Sequence, residues 1–139
     1  MRISAPVLAI LIIAAIAYSL LPFGRDDANA EEGAPIVKIG IPGQLSEIAM
    51  LGKQAFDINC ASCHAENAVG QHGVAPPLVH KIYEPNHHGD ESFQRAVAMG
   101  VRAHHWKFGN MPAIEGLARA DVKTIIAYVR ELQRHNEIM

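Results

Sequence analysis

Cys60-Ala61-Ser62-Cys63-His64 holds both cysteines of the 139-residue chain, three positions apart, with a histidine directly behind the second. Two thiols and an imidazole at that spacing could serve three chemistries. A redox dithiol wants a βαβ context, which the surrounding sequence lacks. A structural zinc site usually wants a second Cys or His pair at ligand spacing. The remaining chemistry is covalent attachment of one haem c. Each thiol can form a thioether to a haem vinyl group, and the adjacent imidazole stands where it can take one axial face of the iron. We expect Cys60 and Cys63 to bind the haem and His64 to ligate its metal.

The opposite axial ligand must come from a methionine or histidine remote from His64. Met111 sits in Gly109-Asn110-Met111-Pro112, a loop from which a thioether can point inward without competing with helix packing. Met99 ends a predicted helix and reads as a core residue, Met50 lies on another helix, and Met139 is terminal. His104 and His105 are the alternatives, since two histidines also give a low-spin haem. Thioether ligation favours ferrous iron and raises the reduction potential relative to bis-histidine ligation. The expected metal ligands are therefore His64 and Met111, with Trp106 packed beside the haem and its indole N–H reaching a propionate.

Eight histidines is a high count for this length. His87-His88 and His104-His105 could build a second copper or zinc site only if the two pairs met in space, and adjacent residues of an extended chain point apart. Together with His80 they read as loop-surface residues, propionate donors or packing.

The elements that must position these groups are helical. Residues 45–59 carry Ile48, Leu51, Ala55, Phe56 and Cys60 at helical spacing, with Ser46 as N-cap and Glu47 in the first turn. Gly52, in the middle, costs about 1 kcal/mol relative to Ala, which a helix crossing at that point would explain. The partner is a last helix over 119–136, with the stripe Val122, Ile125, Ile126, Val129 and Leu132. Tyr128 on it could fill the notch at Gly52. A third helix is predicted over Asp90–Met99, closed by Gly100. Long loops such as 65–91 suit a small domain only when a ligand organises them.

Several of these residues resemble the class I c-type cytochromes, in a monohaem, membrane-anchored bacterial form. Gly52, Phe56 and Cys60, spaced by four, are similar to that family's N-terminal helix leading into its haem motif, and Tyr128 to its C-terminal aromatic. The resemblance implies that the Pro76 carbonyl accepts a hydrogen bond from the free ring N–H of His64, fixing the ring and raising its basicity. It also places Asn110-Met111-Pro112 as the sixth-ligand loop. The departures are a doubled proline at Pro76-Pro77 and Ala118 where a Ser or Thr cap is common. The fold implied is all-α, with three main helices around a covalent haem, preceded by an N-terminal apolar helix.

The uncharged run 5–23 would span about 28 Å as a helix, close to the hydrocarbon thickness of a bilayer. Ala28-Asn29-Ala30 is a signal-peptidase-like site, but the run is longer than a usual h-region, so an uncleaved anchor is preferred to a cleaved signal peptide. Residues 1–30 are thus expected to anchor the chain in the inner membrane facing the periplasm, or to leave it soluble there if removed after Ala30. Arg2 before the run and Asp26, Asp27, Glu31 and Glu32 after it agree with that orientation. Residues 31–44, bracketed by Pro35 and Pro42, read as a linker or a strand along the surface, and 45–139 as the haem domain. A formal net charge of −2 without blocks of like charge gives no footprint for nucleic acid.

Two function classes follow. With His64 and Met111 filling both axial positions, the domain is a one-electron carrier of a respiratory or related chain, docking redox partners at the haem edge, or the haem subunit of a membrane oxidoreductase. A peroxidase, an oxyanion reductase or a sensor needs a releasable sixth position, and the enzymes an acid–base group beside it, for which His104 or His105 could serve. The Met-Pro loop favours the filled site, so we expect no catalysis beyond electron transfer.

Overall fold

Four helices order the chain after residue 46: α1 (Glu47–Asn59), α2 (Ala61–His64), α3 (Asp90–Met99) and α4 (Arg119–His135), with 3-10 turns at Glu66–Ala68 and Lys81–Tyr83. The computed structural model describes Ile10, Ile12 and residues 31–139. The expected anchor or signal segment, 1–30, otherwise lies outside the described residues, and among those described no helix is long and apolar enough to cross a membrane. The fold is all-α; among the described residues only isolated bridges occur, such as Val101 with Met111.

Ser46 caps α1 by accepting from the Ala49 N–H at 3.3 Å, and Glu131 of α4 accepts from the Ser46 N–H at 3.1 Å, so one residue both starts α1 and ties it to α4. The buried face of α1 differs from the expected stripe. Ala49, Gly52 and Phe56 are buried, whereas Ile48 and Leu51 are exposed. The reason is how closely the two backbones approach. A Cβ on Gly52 would lie 1.9 Å from the Thr124 carbonyl oxygen. Such a crossing puts small residues against α4 and turns the large aliphatics away. Tyr128 therefore does not fill the notch, which Thr124 occupies. It packs edge-on against Phe56 with ring centroids 5.6 Å apart.

α4 buries its whole predicted stripe, together with Tyr128. Ala118 offers no side-chain cap, and the Asp121 carboxylate compensates by accepting from the Ala118 N–H at 2.9 Å. α3 packs on α4 through Val97 against Val122 and Ile126. Met99 is not a core residue: it is 71% exposed, because the turn of α3 that faces α4 is completed by Val97.

Residues 31–45 run along the domain surface. The Gly33 N–H donates to the His72 carbonyl and the His72 N–H to the Ala34 carbonyl, both at 2.9 Å, and the Val37 N–H reaches the Val69 carbonyl at 3.2 Å. Gly40 and Asn136 then bond each other in both directions, at 2.7 and 2.9 Å, while Ile39 packs on the core. This strap uses backbone groups and makes no strand ladder.

The Arg130 guanidinium, buried at 7% exposure, organises the loop before α3. It donates to Asp90 (2.9 Å), the Tyr83 carbonyl (2.7 Å), Gln133 Oε1 (2.6 Å) and the His88 carbonyl (2.6 Å), and its plane stands 5.0 Å from the Phe93 ring centre. A planar fork with five donors can do this where an ammonium cannot.

Candidate haem site

The C-terminus of α1 delivers Cys60, whose N–H bonds the Phe56 carbonyl at 2.8 Å, and the single turn of α2 carries Cys63 and His64. Both cysteines are free. Burial, and then the neighbouring Cys63, push the Cys60 thiol up to about 11, so it is a neutral thiol at ordinary pH.

His64 is buried, with 9% exposure. Its Nδ1 lies 2.8 Å from the Pro76 carbonyl oxygen. Because a carbonyl only accepts, the proton sits on Nδ1, and Nε2 keeps its lone pair. Desolvation holds the imidazole below its ordinary pKa, with the Pro76 bond opposing. The ring is therefore neutral and oriented, with the Nε2 lone pair available, as a metal ligand requires.

That geometry depends on a turn not foreseen from the sequence. Ala65, Asn67 and Ala68 all have positive φ, near 60°, an unfavourable conformation for side-chain-bearing residues. Asn67 is held there by the Tyr128 hydroxyl, which donates to its Oδ1 at 3.0 Å. Gly70 follows with φ +74°, and a Cβ on it would lie 2.4 Å from Pro77 N. Only glycine lets the Pro76-Pro77 segment pass this close, while the Gly70 N–H bonds the His64 carbonyl at 2.8 Å. Gln71 closes the turn by donating to the Ser62 carbonyl at 2.9 Å. A glycine six residues past His64 was the available signal for this turn; nothing in the sequence marked Asn67 or Gln71.

Met111 is half-buried and fixed through its backbone, exchanging bonds with Val101 at 2.9 and 3.0 Å. Gly100 (φ +75°) permits this, since a Cβ there would meet the Met111 carbonyl at 2.5 Å. Within the loop so closed, Asn110 Oδ1 accepts from the Ala103 N–H at 2.9 Å. Trp106 stacks on Phe108, with centroids 5.7 Å apart, and meets His80 edge-on at 5.2 Å. Its indole N–H is buried and, among the described residues, has no partner in hydrogen-bond geometry. Tyr83 is near enough that the indole opposes the rise of its phenol to about 12, a rise caused by burial.

The sequence of this site region matches the family model for cytochrome c over residues 49–133. The chain belongs to the cytochrome c family. As a member it is a haem c protein of electron transfer, and its all-α fold is cytochrome c-like. The cytochrome is 28% identical over 136 residues to the "Cbb3-type cytochrome c oxidase subunit FixPc" of Rhizobium leguminosarum bv. viciae, an alignment covering 86% of this chain and 45% of that protein. It thus spans less than half the length of that relative. No solved structure matches it.

The residues of the cytochrome fit a haem c. Two free thiols precede a buried imidazole whose Nε2 has its lone pair available, and the buried Trp106 N–H, which among the described residues has no partner in hydrogen-bond geometry, suits an acceptor such as a carboxylate. The four histidines expected to stay apart instead come together: His87 and His105 rings are 5.1 Å apart, His88 and His105 5.2 Å, and His88 and His104 6.0 Å. Two loop tips meet there, a long-range placement that local spacing does not encode.

Proposed function

We propose that this cytochrome is an exported one-electron carrier whose single haem is held by Cys60 and Cys63 and ligated by His64 and Met111. The observation that supports this is the bond from His64 Nδ1 to the Pro76 carbonyl, which leaves the Nε2 lone pair available. The haem supplies the one-electron couple. Around it, Pro76 keeps the proton on Nδ1 in both oxidation states, and the Gly70 turn keeps the ring from rotating. The Val101–Met111 pair holds the thioether's backbone, so little has to rearrange when charge changes. Trp106 donates its indole N–H to a propionate.

In the same reading, residues 1–30 anchor the chain in the inner membrane, or direct it to the periplasm if removed after Ala30. The domain over 45–139 then meets redox partners near Cys60, Cys63 and the Met111 loop. The likeness to an oxidase subunit favours a second form of the same role, in which the partner is a membrane oxidoreductase and binds permanently.

An absorption spectrum of the purified oxidised protein tests the ligation. A weak red-edge sulfur-to-iron charge-transfer band that disappears in Met111→Ala is expected. A high-spin oxidised spectrum that takes up cyanide at once would sink the carrier and favour a haem enzyme.

A further inference from the structure

The tip of the loop before α3 meets the tip of the 101–111 loop, and one ring nitrogen from each of His87, His88 and His105 lies within 4.8 Å of the others. We propose that these three histidines bind one Zn²⁺ or Cu²⁺ ion, a metal site separate from the haem. Three imidazoles with no carboxylate or thiolate among them suit borderline dications and not Mg²⁺ or Ca²⁺.

Their supports are already in place. His88 Nδ1 lies 2.6 Å from the Ile82 carbonyl, which puts the proton on Nδ1 and leaves Nε2 as the donor atom, the arrangement by which metal-bound histidines are usually oriented. The His88 carbonyl is held by buried Arg130, and the His87 and His88 N–H groups both bond the Glu84 carbonyl, at 3.0 and 2.8 Å. On the other side, the Val101–Met111 pair and the Ala103–Asn110 bond fix the loop that presents His105. Among the described residues no hydrogen bond joins these rings to one another, so contact between them is not explained by mutual bonding.

The site is open by a small margin. Four-coordinate zinc with Zn–N distances of about 2.0–2.1 Å sets the nitrogens about 3.4 Å apart. Closing from 4.8 Å takes roughly 1.4 Å, within reach of χ rotations at His87 and His105, which are both exposed. Water would complete the coordination. His104 packs beside the cluster, its ring tilted against that of His105 with centroids 4.3 Å apart and its Nδ1 held by the Arg102 carbonyl. A bound ion would cross-link the loop before α3 to the loop that carries Met111.

The test uses the full-length holoprotein without a histidine tag, titrated calorimetrically with ZnCl₂ and, in a separate arm, CuCl₂. One equivalent of either ion should bind, copper more tightly by the Irving–Williams order. His87→Ala and His105→Ala should each weaken binding at least about tenfold, by analogy with the loss seen when even outer-shell partners are removed. His72→Ala, outside the cluster, should not. Zn²⁺ should raise the thermal midpoint of wild type and not of His105→Ala. No saturable binding of either ion, or binding indifferent to both cluster variants, overturns the proposal. The stoichiometry does not depend on Met111, so this failure would leave the electron-carrier reading untouched.

Discussion

Gly52→Ala inserts one methyl at the point where α1 and α4 touch. The new Cβ would lie 1.9 Å from the Thr124 carbonyl oxygen, 2.5 Å from its carbon and 3.1 Å from Ile125 N. All three are backbone atoms in the second turn of α4, so no side-chain rotation relieves the clash. A carbon approaches a carbonyl oxygen no closer than about 3.3 Å, so the helices must part by roughly 1.4 Å. A gap of about 1 Å already forfeits up to half of a contact's dispersion energy, and the loss falls on Ala49, Phe56, Ile125 and Val129, which form the centre of the core. Overpacking costs typically about 1–3 kcal/mol, and rigid neighbours put this case at or above the top. Better helix propensity returns about 1 kcal/mol. The net expectation is a loss of at least about 2 kcal/mol, a fall in thermal midpoint of roughly 8–16 °C for a domain of this size. Guanidinium and thermal unfolding of the holoprotein, followed by far-UV circular dichroism, measure it. Gly43→Ala is the control, because among the described residues nothing lies within 4 Å of its Cβ; it should be neutral or slightly stabilising. A Gly52→Ala protein as stable as wild type would refute the close-crossing argument.

Arg130→Lys keeps the charge but cannot reproduce the fork that serves Gln133 Oε1 and the His88 carbonyl, while the Tyr83 carbonyl keeps its bond from Gln133 Nε2. With about two acceptors left unpaired, stability should fall by about 2–4 kcal/mol in denaturant titration; a change under about 0.5 kcal/mol would show that water replaces the guanidinium. The Tyr83 and Tyr128 phenols, raised to about 12 by burial, ionise in the unfolded chain first, near pH 10. Their contribution is therefore complete below about pH 10 and lost as pH rises towards 12, and the decline should be shallower in Tyr128→Phe. A denaturation midpoint constant from about pH 9 to 12 would contradict this.

What could be read from the chain alone followed locality. The helix Asp90–Met99 and the stripe on α4 were legible because a 3.6-residue period and a terminal glycine are local signals. The face of α1 was not, because hydrophobicity pointed to Ile48 and Leu51, while the interface was decided by backbone proximity at Gly52. Gly52 itself stands out in the sequence, but a notch does not say what enters it, and the backbone at Thr124 occupies it where Tyr128 was expected. In the haem region, His64 and Pro76 were legible through motif and resemblance. The positive-φ run at Ala65, Asn67 and Ala68 was invisible, because two of those residues are alanines that ordinarily avoid it. The meeting of His87, His88 and His105 depends on Arg130 and on the Val101–Met111 pairing, both long-range contacts that no window of sequence contains.

The strap at Gly33–Gly40 takes up chain length that would otherwise be slack. Residues 31–44 would extend to roughly 45–50 Å if they were free chain, but from Gly33 onward they are laid down on the haem turn and on Asn136. That length is withdrawn from any slack between the haem domain and whatever precedes Gly33: the segment moves with the domain as part of its surface, and an outward pull on it loads the haem turn and Asn136 first.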